Sequence, residues 1–276
     1  MNATINLENK HFPVLLKELI SIISPLYGGT FIDCTFGQGG YSEKILESKE
    51  NNIIALDRDK DVLINTSKFY KKYNKRFEFY NLKFSQLDQI KFKKHKVKGI
   101  IFDLGFSLSQ IKNQKGLSFS DKGKLNMKMG INDISAHEVI SNMDEKNLTK
   151  VFKVFGDEKY SKKIAREIVI KRKNMAIKTE DLVEIIDNVK KYQKTKIHNS
   201  TKVFQALRIL VNKEISELIN GLINSFNLIP VGGIIAVVSF HSIEDRIVKF
   251  FFKNYSEQKN SSRYLPEVKV SERCFK

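Results

Sequence analysis

Short apolar stretches rich in β-branched and aromatic residues alternate with stretches of helical spacing over the first 105 residues, and this alternation constrains the fold most. The predicted strands are "TFIDCTF", "NIIALDRD", "RFEFYNLKF" and "VKGIIFDLG". Predicted helices separate them, beginning with "SEKILESK", for which Ser42 is the expected N-cap. Because strands that alternate with helices form βαβ units, the sequence predicts an α/β fold with a mostly parallel sheet.

The alternation stops after Gly105 and resumes near the C-terminus. The segment between, residues 112–199, is polar and has helix-like stretches without strong strand signals, so we interpret it as an inserted helical subdomain. The amphipathic stretch "KVFQALRILVNKEISELINGLINSF" predicts one long helix capped by Ser200 or Thr201, and "GGIIAVVSF" predicts a further strand. The predicted boundaries are 1–111 and 200–276 for the two parts of the α/β domain and 112–199 for the insertion.

The chain is strongly basic, with 48 Lys and Arg residues against 31 Asp and Glu and a formal net charge of +17. Such a charge attracts polyanions, of which nucleic acid is the commonest large one. The insertion holds 20 of the basic residues and 12 of the acidic ones. Coding biased toward Lys, Asn, Ile and Phe is a rival explanation, because it would raise the charge without a polyanionic partner.

The sequence lacks the features of a membrane or secreted protein. No apolar run approaches the roughly 20 residues that cross a bilayer, and the N-terminus has neither the basic nor the apolar part of a signal peptide. We therefore expect a cytoplasmic protein. Its two cysteines, Cys34 and Cys274, are far apart and lack a C-x-x-C partner, which argues against a disulfide scaffold and a cysteine zinc site. No metal site is predicted.

Polar and aromatic residues follow the predicted strands, where ligands bind to open parallel sheets. Gly37, Gly39 and Gly40 follow the first strand and let a ligand approach the backbone closely. Asp57 follows the second strand about twenty residues later, where an acid accepts hydrogen bonds from ribose hydroxyls. The other candidates are Asp33, Tyr41, Phe84, Asp103, Ser107, Gln110, Ser239, His241 and Glu244. Each alone has a structural interpretation as a cap, a turn or a core residue, but their succession favours a ligand site.

This pattern predicts a cofactor that contains a nucleoside, and two classes compete. A nicotinamide dinucleotide needs the G-x-G-x-x-G pattern that holds its pyrophosphate at a helix N-terminus. Here Ser42 stands where the third glycine belongs. S-adenosylmethionine has no phosphate but needs a glycine-lined floor and an acid for its ribose, so we favour it, with the ring of Phe84 against its adenine. A nicotinamide oxidoreductase stays the alternative.

Seven ordered motifs over residues 11–252 point to one family. They are "HFPVLLKE", "DCTFGQGGYS", "ALDRD", "FDLGFSLSQ", "GLSF", "HNSTKVFQALRILVNKE" and "SFHSIEDR". Together they resemble the bacterial 16S ribosomal RNA (cytosine-N4)-methyltransferase family, also called MraW or RsmH. The resemblance implies a class I, Rossmann-like S-adenosylmethionine-dependent methyltransferase fold with an inserted helical recognition domain. It also implies methyl transfer to the exocyclic N4 of a cytidine in the decoding centre of 16S ribosomal RNA in the small ribosomal subunit.

The resemblance also implies which residues contact the cofactor, and the chain departs from the family's pattern in places. The implied contacts are Gly39, Gly40, Tyr41, Asp57, Phe84, Asp103 and Gln110, to which the glycine turn adds Gly37. The departures are Tyr41 for a usual His, Asn126, Lys128 and Gly130 within the family's Asp-Met-Arg-Met-Asp motif, and Asn199 and Lys202 within its His-Pro-Ala-Thr-Arg motif. The stretch after the last predicted helix is also short for the family, which predicts an incomplete end of the sheet.

Methylation of an exocyclic amine needs a group that accepts a proton, because the N4 lone pair of cytosine is delocalised into the ring. We hypothesise that Asp103 or a nearby backbone carbonyl accepts it, with Ser107 and His241 positioning the base. The loss of a carboxylate at Asn126 keeps a second interpretation open, a non-catalytic RNA-binding ribosome-assembly factor with the same fold. Monomer and homodimer are both compatible with the sequence.

Overall fold

The computed structural model describes residues 13–23, 27–91, 97–106, 116–191 and 197–256. The strands are β1 (Gly29–Asp33), β2 (Asn51–Leu56), β3 (Phe77–Tyr80), β4 (Val97–Asp103) and β5 (Ile234–Val238). The helices are α1 (Leu16–Ile23), α2 (Gly40–Leu46), α3 (Leu63–Tyr73), α4 (Ala136–Asn142), α5 (Glu145–Gly156), α6 (Ser161–Lys171), α7 (Thr179–Val189), α8 (Thr201–Asn212), α9 (Glu214–Leu228) and α10 (Ser242–Ser256). Short 3-10 helices lie at Lys60–Val62, Asn74–Arg76 and Phe84–Gln89.

The five strands form one parallel sheet in the order β3-β2-β1-β4-β5. The chain runs outward from β1 to β3 and then crosses back to place β4 on the other side of β1. Open sheets of this kind bind ligands at the carboxyl ends of the strands that flank such a crossing. The topology therefore directs attention to the ends of β1 and β4, at Asp33 and Asp103.

Helices cover both faces of the sheet. Successive side chains of a strand point to opposite faces, and both faces of a parallel sheet are buried. In β2, Ile53 and Ala55 belong to the apolar cluster shared with α1, α2 and α3. Ile54 and Leu56 belong to the opposite cluster, shared with α9 and α10. The predicted class I, Rossmann-like α/β fold is confirmed.

The predicted helical insertion forms its own apolar cluster from α4, α5, α6 and α7. Helix α8 also contributes, through buried residues such as Val203 and Leu207. Gly156 packs so tightly against α8 that an added Cβ would lie 2.4 Å from the Lys202 carbonyl oxygen. The boundary at residue 199 stays a prediction, and the packing of α8 supports moving it beyond residue 212.

Two local predictions are wrong. Ser42 is no N-cap, because α2 begins at Gly40 and Gly39 takes the cap position with a left-handed φ of 78°. The predicted long helix is two helices, because Lys213 adopts a left-handed φ of 52° between α8 and α9. Among the described residues, no helix combines the length and apolar composition that a bilayer span requires. The predicted incomplete end of the sheet lies outside the described residues.

Candidate active site

A cavity of about 420 Å³ opens at the carboxyl ends of the strands. The sequence-predicted residues that line it are Gly37, Gly40, Tyr41, Asp57, Phe84 and Asp103. Gly39 and His241 are absent from its lining, as are Asp33 and Ser239, whereas Glu244 is present. Ser107 and Gln110 lie outside the described residues. The structure thus brings the ends of β1, β2 and β4 and the 3-10 helix after β3 to one cavity.

The glycine turn between β1 and α2 uses its glycines for different reasons. Gly37 has a left-handed φ of 52°, and an added Cβ would meet the Thr35 carbonyl oxygen at an ordinary contact distance of 3.9 Å, so conformation and not packing requires glycine there. At Gly39 an added Cβ would lie 2.4 Å from the ring of Phe69, so packing as well as φ excludes a side chain. Gly40 borders the cavity, and its Cβ would collide with Pro13. The turn is therefore packed tightly against its surroundings at Gly39 and Gly40 but not at Gly37.

Asp57 ties the end of β2 to this turn. Its carboxylate accepts a hydrogen bond from the Gly37 amide at 2.8 Å and one from the Asp59 amide at 2.9 Å. Burial raises the pKa of Asp57 to about 6, even though these two hydrogen bonds favour its ionised form. Each carboxylate oxygen has a further lone pair. Asp57 can therefore hold the turn and still accept hydrogen bonds from hydroxyl groups of a ligand.

Asp103 lies at the end of β4 and presents an unsatisfied carboxylate oxygen at the cavity. Its amide donates a hydrogen bond to the Thr35 hydroxyl at 2.8 Å, but its carboxylate Oδ1 is buried without a partner among the described residues. Burial, and then the nearby Asp33, raise the pKa of Asp103 to about 7. A buried acceptor without a partner costs free energy unless a ligand supplies a donor or a positive charge.

Asp33 and Tyr41 are buried next to Asp103 and hold helix α2 and the N-terminal segment in place. The Ser42 hydroxyl donates to Asp33 at 2.7 Å, which fixes α2 to the end of β1, and burial raises the pKa of Asp33 to about 6. Tyr41 is buried and its hydroxyl donates to the Val14 carbonyl. Burial, together with Asp103 and Asp33, raises the pKa of Tyr41, so the phenol stays protonated. Tyr41 borders the cavity with its ring while its polar end is occupied.

Phe84 opens the 3-10 helix that follows β3 and lines the cavity. Its ring meets Phe102 edge-on, with centroids 5.4 Å apart. Gly221 of α9 backs the same ring, since an added Cβ there would lie 2.6 Å from it. The ring is thus fixed by core contacts and offers an apolar surface to the cavity. We call Gly37, Gly40, Asp57, Phe84 and Asp103 the cofactor wall.

The cavity is also lined by paired charges that we call the charged wall: Arg208, Glu214 and Glu244, together with the neighbouring His241. The Arg208 guanidinium donates two hydrogen bonds to Glu214, at 2.9 and 3.1 Å. His241 Nε2 lies 3.2 Å from Glu244 and 4.0 Å from Glu214. Burial would lower the pKa of His241, but these two carboxylates outweigh it and raise the pKa to about 9. Its imidazole is therefore protonated at neutral pH.

The charged wall also brings three candidate metal ligands together. Glu214, His241 and Glu244 present ligand atoms within 4.8 Å of one another. Burial would raise the pKa of Glu214, but Arg208 and then His241 outweigh burial and hold the pKa below its ordinary value. A cation would have to displace the His241 proton in order to bind here. Ion pairing is sufficient to explain why these side chains approach one another.

Comparison with known proteins decides the family. Residues 8–274 match the family model described as the MraW methylase family. The chain is 43% identical over 250 residues to "Ribosomal RNA small subunit methyltransferase H" of Rickettsia massiliae, covering 90% of this chain and 81% of that protein. The protein of the same name from Rickettsia bellii is 40% identical over 264 residues, covering 95% and 86%. This chain belongs to the MraW methylase family.

Among solved structures, the MraW-family chain matches a putative methyltransferase of Streptococcus mutans, SMU.1697c, in complex with SAH. The match has 20% identity and a TM-score of 0.28, and it covers 34% of this chain and 53% of that one. The predicted membership of the family thus rests on the family model and the relatives, and the assignment of the fold rests on the order and direction of the strands.

Some departures from the MraW pattern have a structural counterpart. Gly130 has a φ of 127°, and an added Cβ would lie 2.2 Å from the Arg58 carbonyl oxygen, so the chain at this point has room only for glycine. Asn126 does not line the cavity; its carbonyl accepts a hydrogen bond from Ala136 at the start of α4. Lys202 donates to the Asp157 carbonyl at 2.8 Å and so joins α8 to the end of α5.

Sequence reasoning missed Arg208 and Glu214, which both line the cavity of this MraW methylase. They stand inside the quoted motif "HNSTKVFQALRILVNKE", but as parts of a predicted continuous helix they read as ordinary polar positions. Phe106 and Phe240 were also missed, although they lie inside the quoted motifs "FDLGFSLSQ" and "SFHSIEDR". A signal was available, because both rings stand next to the predicted strand ends.

Proposed function

We propose that this protein transfers a methyl group from S-adenosylmethionine to the exocyclic N4 of a cytidine in small-subunit ribosomal RNA, in the decoding centre. The observation that carries the proposal is the buried Asp103 Oδ1, which has no partner among the described residues and belongs to a carboxylate on the cavity wall. A carboxylate of this kind can accept a proton from an amine, and it is stabilised by the positive charge of a cationic methyl donor beside it. The family membership and the names of the relatives support the same reaction.

The cofactor wall fits S-adenosylmethionine better than a dinucleotide. The Gly37 amide already donates to Asp57, so the turn presents a carboxylate to the cavity where a pyrophosphate would need a free amide. Asp57 and Asp103 together make this side of the cavity suitable for a cation. In our proposal Asp57 accepts hydrogen bonds from the ribose hydroxyls, and Phe84 contacts the adenine. Gly39 supports the turn, and Gln110 stays a prediction.

The chain's own residues then have distinct tasks. Bound S-adenosylmethionine would supply an electrophilic methyl group on a sulfonium sulfur. Asp103 accepts the proton that the N4 amine gives up; the bound sulfonium would lower its pKa from about 7 in the free protein, so that the carboxylate is ionised and able to accept a proton at neutral pH. His241 is a positioning residue that acts through Glu244, whose Oε2 accepts the Phe240 amide at 3.1 Å. Ser107 keeps its proposed role of positioning the base.

The partner in this proposal is 16S ribosomal RNA within the small ribosomal subunit, in the cytoplasm. The net charge of +17 supports a polyanionic substrate, and the helical insertion, where basic residues outnumber acidic ones, is the proposed recognition domain. The target base has to leave its stack to enter a cavity at the strand ends. The alternative of a non-catalytic assembly factor predicts RNA binding without product.

The test is methyl transfer from labelled S-adenosylmethionine to purified small subunits that lack the modification, with nucleoside mass spectrometry to locate the methyl group. We expect N4-methylcytidine with the wild-type chain and a rate lower by about 10²–10⁴ with Asp103→Asn, which keeps the shape but removes the proton acceptor. Calorimetric titration of the cofactor checks that this variant still binds it. Subunit binding without any product, or an active Asp103→Asn variant, would contradict the proposal.

A further inference from the structure

Two large aromatic rings stand partly exposed at the mouth of the cavity. Phe106 is 39% exposed and Phe240 is 53% exposed, and both line the cavity. Single exposed apolar residues are common on protein surfaces, but two rings beside one cavity with an unsatisfied carboxylate form a local apolar patch at a polar site. Such a patch suits a flat ligand with polar edges.

The sheet register explains why the two rings meet at one place. Asp103 pairs with Val238, and the Leu104 amide donates to the Val238 carbonyl at 3.0 Å. The turns after β4 and β5 therefore leave the sheet side by side, and Phe106 and Phe240 follow within three residues. Both rings and the Asp103 carboxylate thus lie at the same edge of the sheet and line the same cavity.

Gly105 keeps the space between these turns open. Its φ is 106°, which favours glycine, and the atoms nearest to an added Cβ would all belong to the ring of Phe240, beginning at 3.3 Å. A side chain there would cover part of that ring. The turn therefore leaves the ring of Phe240 accessible from the Gly105 side.

The charged wall anchors both aromatic residues. The Arg208 guanidinium stands 5.0 Å from the centroid of the Phe106 ring while Glu214 holds it by two hydrogen bonds. The Phe240 amide donates to Glu244 at 3.1 Å. Paired charges with little freedom of their own thus set the position of the two rings.

We propose that Phe106 and Phe240 form an aromatic clamp that stacks on the unstacked pyrimidine base of the RNA substrate and turns its amino edge toward Asp103. This inference rests on the proposed function and names the subsite that the function requires. Sheet order supports the assignment, because Asp57 and Phe84 follow β2 and β3 on one side of β4, and the clamp lies toward β5 on the other. The cofactor and the base then occupy opposite sides of Asp103.

The test compares Phe240→Ala, Phe240→Leu and Phe240→Tyr in methyl transfer to small subunits. Stacking of a base on an aromatic ring corresponds to roughly 5- to 150-fold in affinity. We expect kcat/KM to fall by about that factor for Ala and nearly as far for Leu, and Tyr to retain activity. The dissociation constant of S-adenosylmethionine should change by less than about twofold, since stacking would not involve the cofactor. Phe106→Ala should behave like Phe240→Ala.

Phe250→Ala is the matched control, because Phe250 is 68% exposed on α10 and does not line the cavity. It should leave kcat/KM unchanged, and thermal melting should be alike for all variants. A Phe240→Leu variant as active as wild type would overturn the clamp but not the proposed function, because an aliphatic side chain that fills the same space would then be sufficient. Weakened cofactor binding in Phe240→Ala would overturn it as well, by placing the ring on the cofactor side. A wild-type chain that makes no N4-methylcytidine would overturn the function and the clamp together.

Discussion

The two walls of the cavity use their polar groups in opposite ways. On the cofactor wall, Asp57 bonds to backbone amides with lone pairs to spare, and Asp103 keeps a buried oxygen without a described partner. On the charged wall, Arg208 and Glu214 share two hydrogen bonds, and the His241 imidazole lies between the carboxylates of Glu244 and Glu214, 3.2 and 4.0 Å from them. Substitutions in the charged wall should therefore lower mainly the free energy of unfolding, whereas substitutions in the cofactor wall should lower mainly the affinity for the ligand.

The largest expected effect comes from Arg208→Met, which removes the cation that donates two hydrogen bonds to the largely buried Glu214. Removing one partner of a buried ion pair costs about 3–5 kcal/mol, and the side chains of Arg208 and Glu214 are only 12% and 11% exposed. Chemical denaturation measures the loss. The control is Lys44→Met, because the Lys44–Glu47 pair is exposed and such pairs contribute about 0–1 kcal/mol. Equal effects of the two substitutions would show that the charged wall does not stabilise the fold.

The pH dependence of stability tests the same wall through His241. Because the folded protein raises the pKa of His241 to about 9, the stabilisation is fully present below the unfolded value near pH 6.5 and is lost as pH rises through 9. A shift of this size corresponds to at most about 3 kcal/mol, and solvent screening of the half-buried imidazole reduces the contribution. We expect the free energy of unfolding of the wild type to fall between pH 6 and pH 10 by less than this amount, relative to His241→Gln. Parallel curves for the two proteins would refute an imidazolium at this site.

The residues of the cofactor wall could be predicted from the sequence, whereas the Arg208–Glu214 pair of the charged wall could not. Asp57 and Asp103 follow strands directly, so the alternation of elements located both, and the parallel sheet brought them to one edge. Arg208 and Glu214 are six residues apart, which in a continuous helix puts them about 120° apart around the axis and about 9 Å apart along it. They pair only because Lys213 breaks the helix, and no glycine or proline marks that break. Ser42 failed as a cap because its hydroxyl bonds to Asp33, a contact between elements that local rules do not include.

A smaller effect is expected for Asp57→Asn on the cofactor wall. An amide keeps the shape but loses the charge that strengthens the hydrogen bonds to ribose hydroxyls, and hydrogen bonds to charged groups contribute about 1.5–3 kcal/mol. We expect the dissociation constant of S-adenosylmethionine to rise by about 10- to 100-fold in a calorimetric titration. Asp245→Asn, on the surface of α10, is the control and should bind like wild type. An unchanged affinity in Asp57→Asn would remove Asp57 from the cofactor wall.

The smallest effect, and the sharpest for the cofactor wall, is the pH dependence of cofactor affinity. The pKa of Asp103 is about 7 in the free protein, because burial and then Asp33 oppose its charge. A bound sulfonium favours the ionised carboxylate, so binding lowers this pKa and releases a proton below pH 7. Affinity for S-adenosylmethionine should therefore rise by up to about tenfold from pH 6 to pH 8. S-adenosylhomocysteine, whose sulfur is neutral, should show a weaker dependence, and Asp103→Asn should retain only the part due to Asp57, whose pKa is about 6. An equal dependence for both ligands would mean that Asp103 does not face the sulfonium.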